Sequence, residues 1–434
     1  MAGATASAVA ESAERAVLEG RLPPGAVLPP VRRLAAALGL SPATVAAAYR
    51  TLRLRGLVAG EGRRGTRVAR RPPLPVRAPS APTPGVRDLA QGNPDPEWLP
   101  DLGPAWRRLP ARAGLYGQQT LLPALREAAI RQLEEDGIPA TSLAVVGGAL
   151  DGVERALQSQ LRPGDRVAVE DPGYTGVLDL VAALGLVARP MDLDDFGVLP
   201  ASLASALEAG VRAVVVTPRA QNPTGAAFDE RRARALRALL DRHPDVLLVE
   251  DDHAGPVADA PALTLAHPRK ARWAVVRSVS KSLGPDLRLA VLAGDPGTVA
   301  RVEGRQAVGA GWVSHLLQGV VASLWSDPAT TRRLREAARA YSRRRRALLE
   351  ALARQGVAAQ GRSGLNVWVP VREEAATLAA MAAAGWGLRA GEPYRIQSPP
   401  AVRITVSTLA PKDAARVAES LARAPAGRGR TPAA

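Results

Sequence analysis

The stretch from residue 71 to residue 87 can be neither helix nor central strand. Arg71-Pro72-Pro73-Leu74-Pro75 is followed by Pro79, Pro82 and Pro84. Proline locks its own backbone and has no amide hydrogen to donate, so a run this dense is an extended, semi-rigid spacer. It splits the 434 residues into two regions that must each bury a core of their own. We place these at residues 1–70 and 88–424, with 425–434 as a frayed tail. With 47% hydrophobic and 23% charged residues the composition is that of a globular chain.

Charge is unevenly shared between the two regions. Residues 1–77 hold thirteen arginines against four glutamates, more than half of the net +16 in under a fifth of the length. Such a concentration points to a polyanionic partner. The chain has no cysteine, which excludes disulfides, thiolate metal sites and thiol nucleophiles. His243, His253, His267 and His315 lack metal-ligand spacing, so no metal is expected. The first ten residues have no basic leader, and no apolar run approaches the roughly 20 residues a membrane span needs. A cytoplasmic protein with no membrane partner is the expectation.

Before the spacer the pattern predicts helices over Ala8–Leu18, Val31–Leu38 and Pro42–Leu54, then a hairpin over residues 56–68. Ser41 is a helix cap and Pro42 suits the first helical position. The turn Leu38-Gly39-Leu40-Ser41 between two short helices has the spacing of a helix-turn-helix, whose second helix enters the DNA major groove. Small and polar residues at that helix start, Ser41, Ala43 and Thr44, would face base edges. Arg32, Arg33, Arg63, Arg64 and Arg67, with Thr66, would hold phosphates. Tyr49 is counted with the DNA-facing set, although core packing is the preferred reading of its position and of Leu52. The pieces Leu22-Pro23-Pro24-Gly25, Leu28-Pro29-Pro30-Val31-Arg32, Leu38-Gly39-Leu40-Ser41, Thr44-Val45, Gly56-Leu57 and Gly65-Thr66 resemble the winged helix-turn-helix of the GntR regulators. Pro30 and Pro42 depart from that pattern, where Ser and Arg are common.

After the spacer, helical stretches alternate with apolar runs at 166–169, 211–216, 246–249, 273–276 and 287–292. This alternation predicts a mostly parallel sheet covered by helices. From about Asp327 a long arginine-rich helix, runs at 365–369 and 402–406, and a last helix from Lys412 predict a smaller C-terminal α/β domain over 327–424. Arg343–Arg346 reads as a solvated helix face.

Ligands in open α/β sheets collect beyond the carboxyl ends of strands. The residues there are Glu170-Asp171-Pro172-Gly173-Tyr174, Gln221-Asn222-Pro223-Thr224-Gly225, Glu250-Asp251-Asp252-His253 and Ser278-Val279-Ser280-Lys281. Only three of the 57 basic residues are lysines, Lys270, Lys281 and Lys412. An amine at 281 is notable because lysine, unlike arginine, can lose its proton and form a Schiff base. An amine, a carboxylate, an amide, an aromatic ring and a hydroxyl at successive strand ends are the groups that pyridoxal phosphate requires. Singly, Asn222 can be a turn cap, Asp251 an N-cap, Arg403 a surface cation and His253 a satisfied imidazole; together the set points to the cofactor.

These segments resemble the fold-type I aminotransferases over about residues 88–424. The resemblance implies a large mixed sheet with Lys281 bonded to the cofactor, Asp251 on its pyridinium, Asn222 on its phenolic oxygen and Tyr174 stacked on its ring. It also implies phosphate held by Gly148, Ala149, Leu150, Ser278 and Arg288. Tyr116 would reach the phosphate across a dimer interface, and Arg403 would grip a substrate carboxylate. His253 stands where the family usually has tyrosine, and Leu150 and Asp151 stand where glutamine is frequent. The domain order as a whole resembles the MocR/GabR subfamily of GntR regulators. That implies a head-to-tail homodimer that binds a double-stranded DNA operator and answers to pyridoxal phosphate, another vitamer, an amine or an amino acid. Two other readings stay open: an aminotransferase carrying a DNA-binding module, and a regulator with a silent dimerisation domain.

Overall fold

The computed structural model describes residues 5–54, 56–60, 65–69, 85–110 and 115–424. Most of the spacer, Arg63, Arg64 and the tail lie outside these residues. The chain separates into two compact units, Met1–Ser80 with Leu161–Val167 and Gly176–Arg189, and Ala81–Gln160 with Ala168–Thr175 and Pro190–Ala434.

The head comprises α1 (Ala6–Leu18), α2 (Val31–Leu38), α3 (Pro42–Leu54), and the antiparallel pair β1 (Val58–Gly60) and β2 (Thr66–Val68). Gly39 ends α2 in the left-handed region at φ 66°, a conformation that favours glycine. The chain is then free to restart at Ser41, whose Oγ accepts from the amide of Thr44 at 3.1 Å. Helix packing is completed by a core that includes Val45, Ala48, Tyr49, Leu52, Leu57 and Val68. Tyr49 is 1% exposed and its hydroxyl donates to the Pro29 carbonyl at 2.7 Å. It therefore leaves the DNA-facing set: a phenol pinned inside the head cannot reach a base.

The body runs β3 (Arg87–Asp88), α4 (Gly103–Arg107), α5 (Pro123–Glu135), β4 (Leu143–Val146), α6 (Ala149–Gln160), β5 (Arg166–Asp171), α7 (Thr175–Ala183), β6 (Val187–Asp194), β7 (Gly197–Val198) and α8 (Pro200–Glu208). It continues through β8 (Ala213–Val216), α9 (Glu230–Asp241), β9 (Leu247–Asp252), β10 (Trp273–Ser278), β11 (Ala290–Gly294), α10 (Pro296–Ala307), α11 (His315–Trp325) and α12 (Pro328–Arg354). Last come β12 (Asn366–Pro370), α13 (Glu374–Ala383), β13 (Trp386–Gly387), β14 (Arg389–Ala390), β15 (Ala401–Thr405) and α14 (Ala414–Arg423). Arg87, counted with the spacer, already belongs to a strand that pairs with β13.

Eight strands form one sheet in the order β4-β11-β10-β9-β8-β5-β6-β7. The sheet is mixed. β8, β9 and β10 are mutually parallel, as their fully buried Val- and Leu-rich runs predict. The run at 287–292 instead becomes β11, antiparallel to both β10 and β4, because only a short loop separates it from β10. Helix α6 lies so close to the sheet that a Cβ at Gly152 would come within 2.7 Å of Val276. This brings the α6 N-terminus beside the end of β10. A second core, built from Leu348, Leu352, Val367, Val369, Met381, Val402, Ile404, Val417 and Leu421 among others, supports the C-terminal α/β part. Asp327 caps α12 through the amides of Ala329 and Thr330.

Arg343–Arg346 is only half solvated. Arg345 is buried, bonded to the Gly364 and Arg362 carbonyls and to Asp259, and Arg344 is paired with Asp95 at 2.8 Å. Four consecutive helical residues span more than one full turn, so at least one of them must face inward.

Candidate cofactor site and DNA-binding head

Strand β10 ends at Ser278, and the turn after it carries Lys281, whose Nζ donates to the Gly92 carbonyl at 2.7 Å. Burial, and then the Arg403 charge, pull this amine down to about 8, with Asp251 opposing. A lysine so placed is partly unprotonated near neutral pH, the form that attacks a carbonyl. Asp251, on β9, is buried, and its Oδ1 has no hydrogen-bond partner among the described residues. Burial, Asp252 and Glu170 push its carboxyl up to about 7. A buried, unsatisfied carboxylate oxygen is costly unless a cation or donor arrives to meet it.

Asn222 offers its Oδ1 to Arg403 Nη1 at 3.0 Å and to Asn366 Nδ2 at 3.4 Å. The second terminal nitrogen of Arg403 donates to the Ala90 carbonyl at 2.5 Å. Burial, followed by the negative charge of Asp251, raises the Tyr174 phenol, which keeps it neutral and places it within the same group. His253 belongs here too. Burial and then Lys281 hold its imidazole down at about 4, so it is a neutral ring that can donate or accept.

At the other end of the site Arg288 lies in the left-handed region at φ 42° and donates to the Gly147 carbonyl at 3.1 Å. A Cβ on Gly148, φ 108°, would come within 2.8 Å of that guanidinium. The bare glycine therefore leaves a cradle between Arg288 and the first amides of α6, at Ala149 and Leu150, where helix geometry favours an anion. Ser278 Oγ lies 3.1 Å from Ser280 Oγ. Asp151 is turned away from the cradle, accepting from the Gly147 amide at 2.7 Å and from Arg155 at 2.9 Å.

Tyr116 is not brought to this set. It is 90% exposed and stands edge-on to Trp312, with ring centres 5.5 Å apart.

Three features of the site were not singled out from the sequence. The segment Ala90–Gly92 is held by both Lys281 and Arg403. Tyr394 lies 5.0 Å from the Arg403 guanidinium. On the opposite face of β9, Asp252 receives Arg219 at 2.9 Å and Arg277 at 2.6 Å, and Asp136 ties the same two arginines together. Against burial, which would raise it, these arginines hold the Asp252 carboxyl well below the usual range. Strand alternation signals that Asp251 and Asp252 face opposite ways, but the partners of Asp252 lie far away in sequence.

The donor set fits pyridoxal phosphate. The orphaned oxygen of Asp251 suits a protonated ring nitrogen, Asn222 and His253 suit a phenolic oxygen, Lys281 an aldehyde, and the Gly148–Arg288 cradle a phosphate. Among the described residues no cluster of acidic and histidine side chains is placed to hold a metal, and no helix is long and apolar enough to cross a membrane.

In the head, Arg32, Arg33, Ser41 and Ala43 are exposed and Thr44 is half-buried. Thr66 and Arg67 are half-buried on β2, and the Arg67 guanidinium donates to the Gly25 carbonyl at 3.1 Å.

A helix-turn-helix head and a pyridoxal-phosphate-type body in one chain define a DNA-binding regulator built on an aminotransferase fold. The chain belongs to the aminotransferase class I and II family, matched over residues 85–421, and carries a domain of the bacterial regulatory proteins, gntR family, over residues 5–68. It is 40% identical to the vitamin B6 salvage pathway transcriptional repressor PtsJ of Salmonella typhimurium, over 94% of this chain and 95% of that protein. It is 30% identical to the HTH-type transcriptional regulator TauR of Rhodobacter capsulatus, over 81% of this chain and 80% of that one. Among solved structures, an archaeal alanine:glyoxylate aminotransferase aligns with a TM-score of 0.71 at 20% identity, covering 78% of this chain and 90% of its own.

Proposed function

We propose that the body holds pyridoxal phosphate through Lys281 and that occupancy of this site sets the affinity of the head for its operator. When bound, the cofactor supplies an aldehyde for an amine and a pyridinium that withdraws electrons. Asp251 keeps the ring nitrogen protonated, Tyr174 covers the ring, and Arg288 with Ser278 and the amides of α6 neutralise the phosphate. Arg403 receives the carboxylate of an amino-acid effector.

The observation that carries the regulatory reading is the double hold on Ala90–Gly92. Lys281 and Arg403 each donate to a backbone carbonyl of this segment, which directly follows β3 and the spacer. Were the Lys281 amine engaged by an aldehyde, Gly92 would lose this donor, and a carboxylate on Arg403 would compete with Ala90. The start of the body therefore responds to what the site contains. A ligand shifts DNA affinity only by binding two arrangements unequally, and this segment is where two arrangements arise.

The exposed ring of Tyr116, edge-on to a half-buried Trp312, is suited to cover by a second copy of the chain, which supports a head-to-tail dimer. Arg32, Arg33, Ser41, Ala43, Thr44, Thr66 and Arg67 form the DNA-facing set, with Arg63 and Arg64 assigned from the sequence. The relative PtsJ, described as a repressor of vitamin B6 salvage, supports a vitamer as the signal.

Gel-shift titration against the DNA upstream of the chain's own gene, with and without cofactor, tests the proposal. Lys281→Ala should retain DNA binding and lose both borohydride-fixable cofactor and the cofactor-dependent shift. An operator affinity indifferent to every vitamer and amine would refute the coupling. Steady turnover of an amino donor with a 2-oxo acid would instead establish an enzyme.

A further inference from the structure

Arg389 belongs to none of the roles assigned above. It lies on β14, and its partner across the antiparallel ladder is Arg403 of β15. Directly opposed residues in such a ladder project from the same face, with Cβ atoms roughly 5 Å apart, and like charges so placed repel. Tyr394, Tyr174 and the Asp88 carboxylate offset this repulsion only in part. Among the described residues Arg389, half-buried, has no hydrogen-bond or ion-pair partner, and the buried Nε of Arg403 has none either. The nearby carboxylate of Asp88 is already engaged, its Oδ1 accepting from the amides of Ala90 and Gln91 at 2.7 and 3.2 Å. Burial, and the Arg389 charge with it, push the Arg403 guanidinium below its usual range, although Tyr394 acts the other way.

The rest of the face is shaped for a small ligand. Trp368 is the ladder partner of Arg403 on its other side, and Tyr394 stands edge-on to Trp368 at 6.1 Å. Two aromatic rings thus form a floor beside two cations. Once Lys281 is bonded to cofactor and Arg288 is matched by phosphate, Arg403 and Arg389 remain as two positive charges facing the effector end. A monocarboxylate neutralises one of them. A ligand with a second acid group neutralises both.

We propose that Arg389 is the specificity-determining residue of the effector pocket, and that the preferred effector is an amine with two acid groups, of the dicarboxylic amino acid class. This rests on reading the Lys281–Arg403 pocket as the effector site. Charge-assisted pairing of this kind discriminates by about 10- to 100-fold.

The test uses the cofactor-loaded full-length chain, titrated with amino acids while the cofactor absorbance is followed. Glutamate against glutamine isolates the second charge at nearly constant shape, and O-phosphoserine tests a phosphate as its source. The wild type should prefer glutamate to glutamine by ~10-fold or more, and Arg389→Ala should abolish that preference while leaving glutamine within about twofold. Arg389→Lys should restore part of it. Because Arg389 has no partner to orphan and its loss relieves the repulsion on Arg403, the alanine variant should melt no lower than the wild type. Equal binding of glutamate and glutamine, unchanged by Arg389→Ala, overturns the role of Arg389 and leaves the pocket standing. A tighter hold on phosphoserine than on glutamate overturns the dicarboxylate assignment. No spectral response to any amine overturns both this proposal and the effector pocket itself.

Discussion

Arginine does opposite work in the two regions. In the head, Arg32 and Arg33 sit exposed on α2, above a core made largely of small and aliphatic side chains. In the body, Arg219, Arg277 and Arg345 are buried and answered by Asp252, Asp136 and Asp259. Exposed guanidiniums contribute little to folding and remain available to a polyanion. Buried ones are committed: removing a partner leaves a charge with no water and no counter-ion. The charge excess of the first 77 residues therefore concerns binding, and the paired Arg219 and Arg277 of the body concern the rigidity of the platform behind Asp251.

Asp252→Ala should break the contrast most severely. It leaves two buried guanidiniums, Arg219 and Arg277, to share Asp136 alone, and chemical denaturation should show a loss of about 3–5 kcal/mol. A loss under 1 kcal/mol would mean the network is solvated. Next is a pH effect confined to the body. Burial pushes Glu170 up to about 7 despite bonds from Thr217 and Gln221, so the folded state holds a proton there that the unfolded state releases near 4.5. Its contribution is present below about 4.5 and is lost as pH rises toward 7. Glu170→Gln should flatten this part of the melting-temperature profile between pH 5 and 7, by on the order of 1–3 kcal/mol. Identical slopes in the two proteins would exclude Glu170 as the source.

Smaller effects are expected in the head. Ser41→Ala removes the cap on α3 and should cost about 1 kcal/mol, visible as earlier melting of the head. Smallest for stability is Arg32→Ala with Arg33→Ala, under roughly 0.5 kcal/mol. The same pair should reduce the slope of log affinity against log salt by about 2 if both contact phosphate. An unchanged slope would remove them from the interface.

Much of the site was legible because its residues follow apolar runs: Tyr174, Asn222, Asp251 and Lys281 could be read from strand ends in order. The helix-turn-helix was legible from Gly39, Ser41 and Pro42, whose conformational preferences are local. Tyr49 was ambiguous, since an aromatic on a short helix suits either a groove or a core, and only packing against Pro29 resolves it. The inward turn of Arg344 and Arg345 was not foreseen, because a run of four like charges gives no indication of carboxylates waiting at Asp95 and Asp259. Arg389 was passed over for a similar reason, since its significance comes from the strand laid beside it.

The sequence alone determined which regions fold separately, where charge collects, and which chemistry stands at each strand terminus. Those properties depend on residues within a few positions of one another. Tertiary structure decided how neighbours diverge: Asp251 faces the pocket with an oxygen unsatisfied while Asp252 faces two arginines. The cause is a strand that sends successive side chains to opposite faces, and partners that arrive from 25 and 33 residues away, Arg277 and Arg219, themselves joined by Asp136 from farther still.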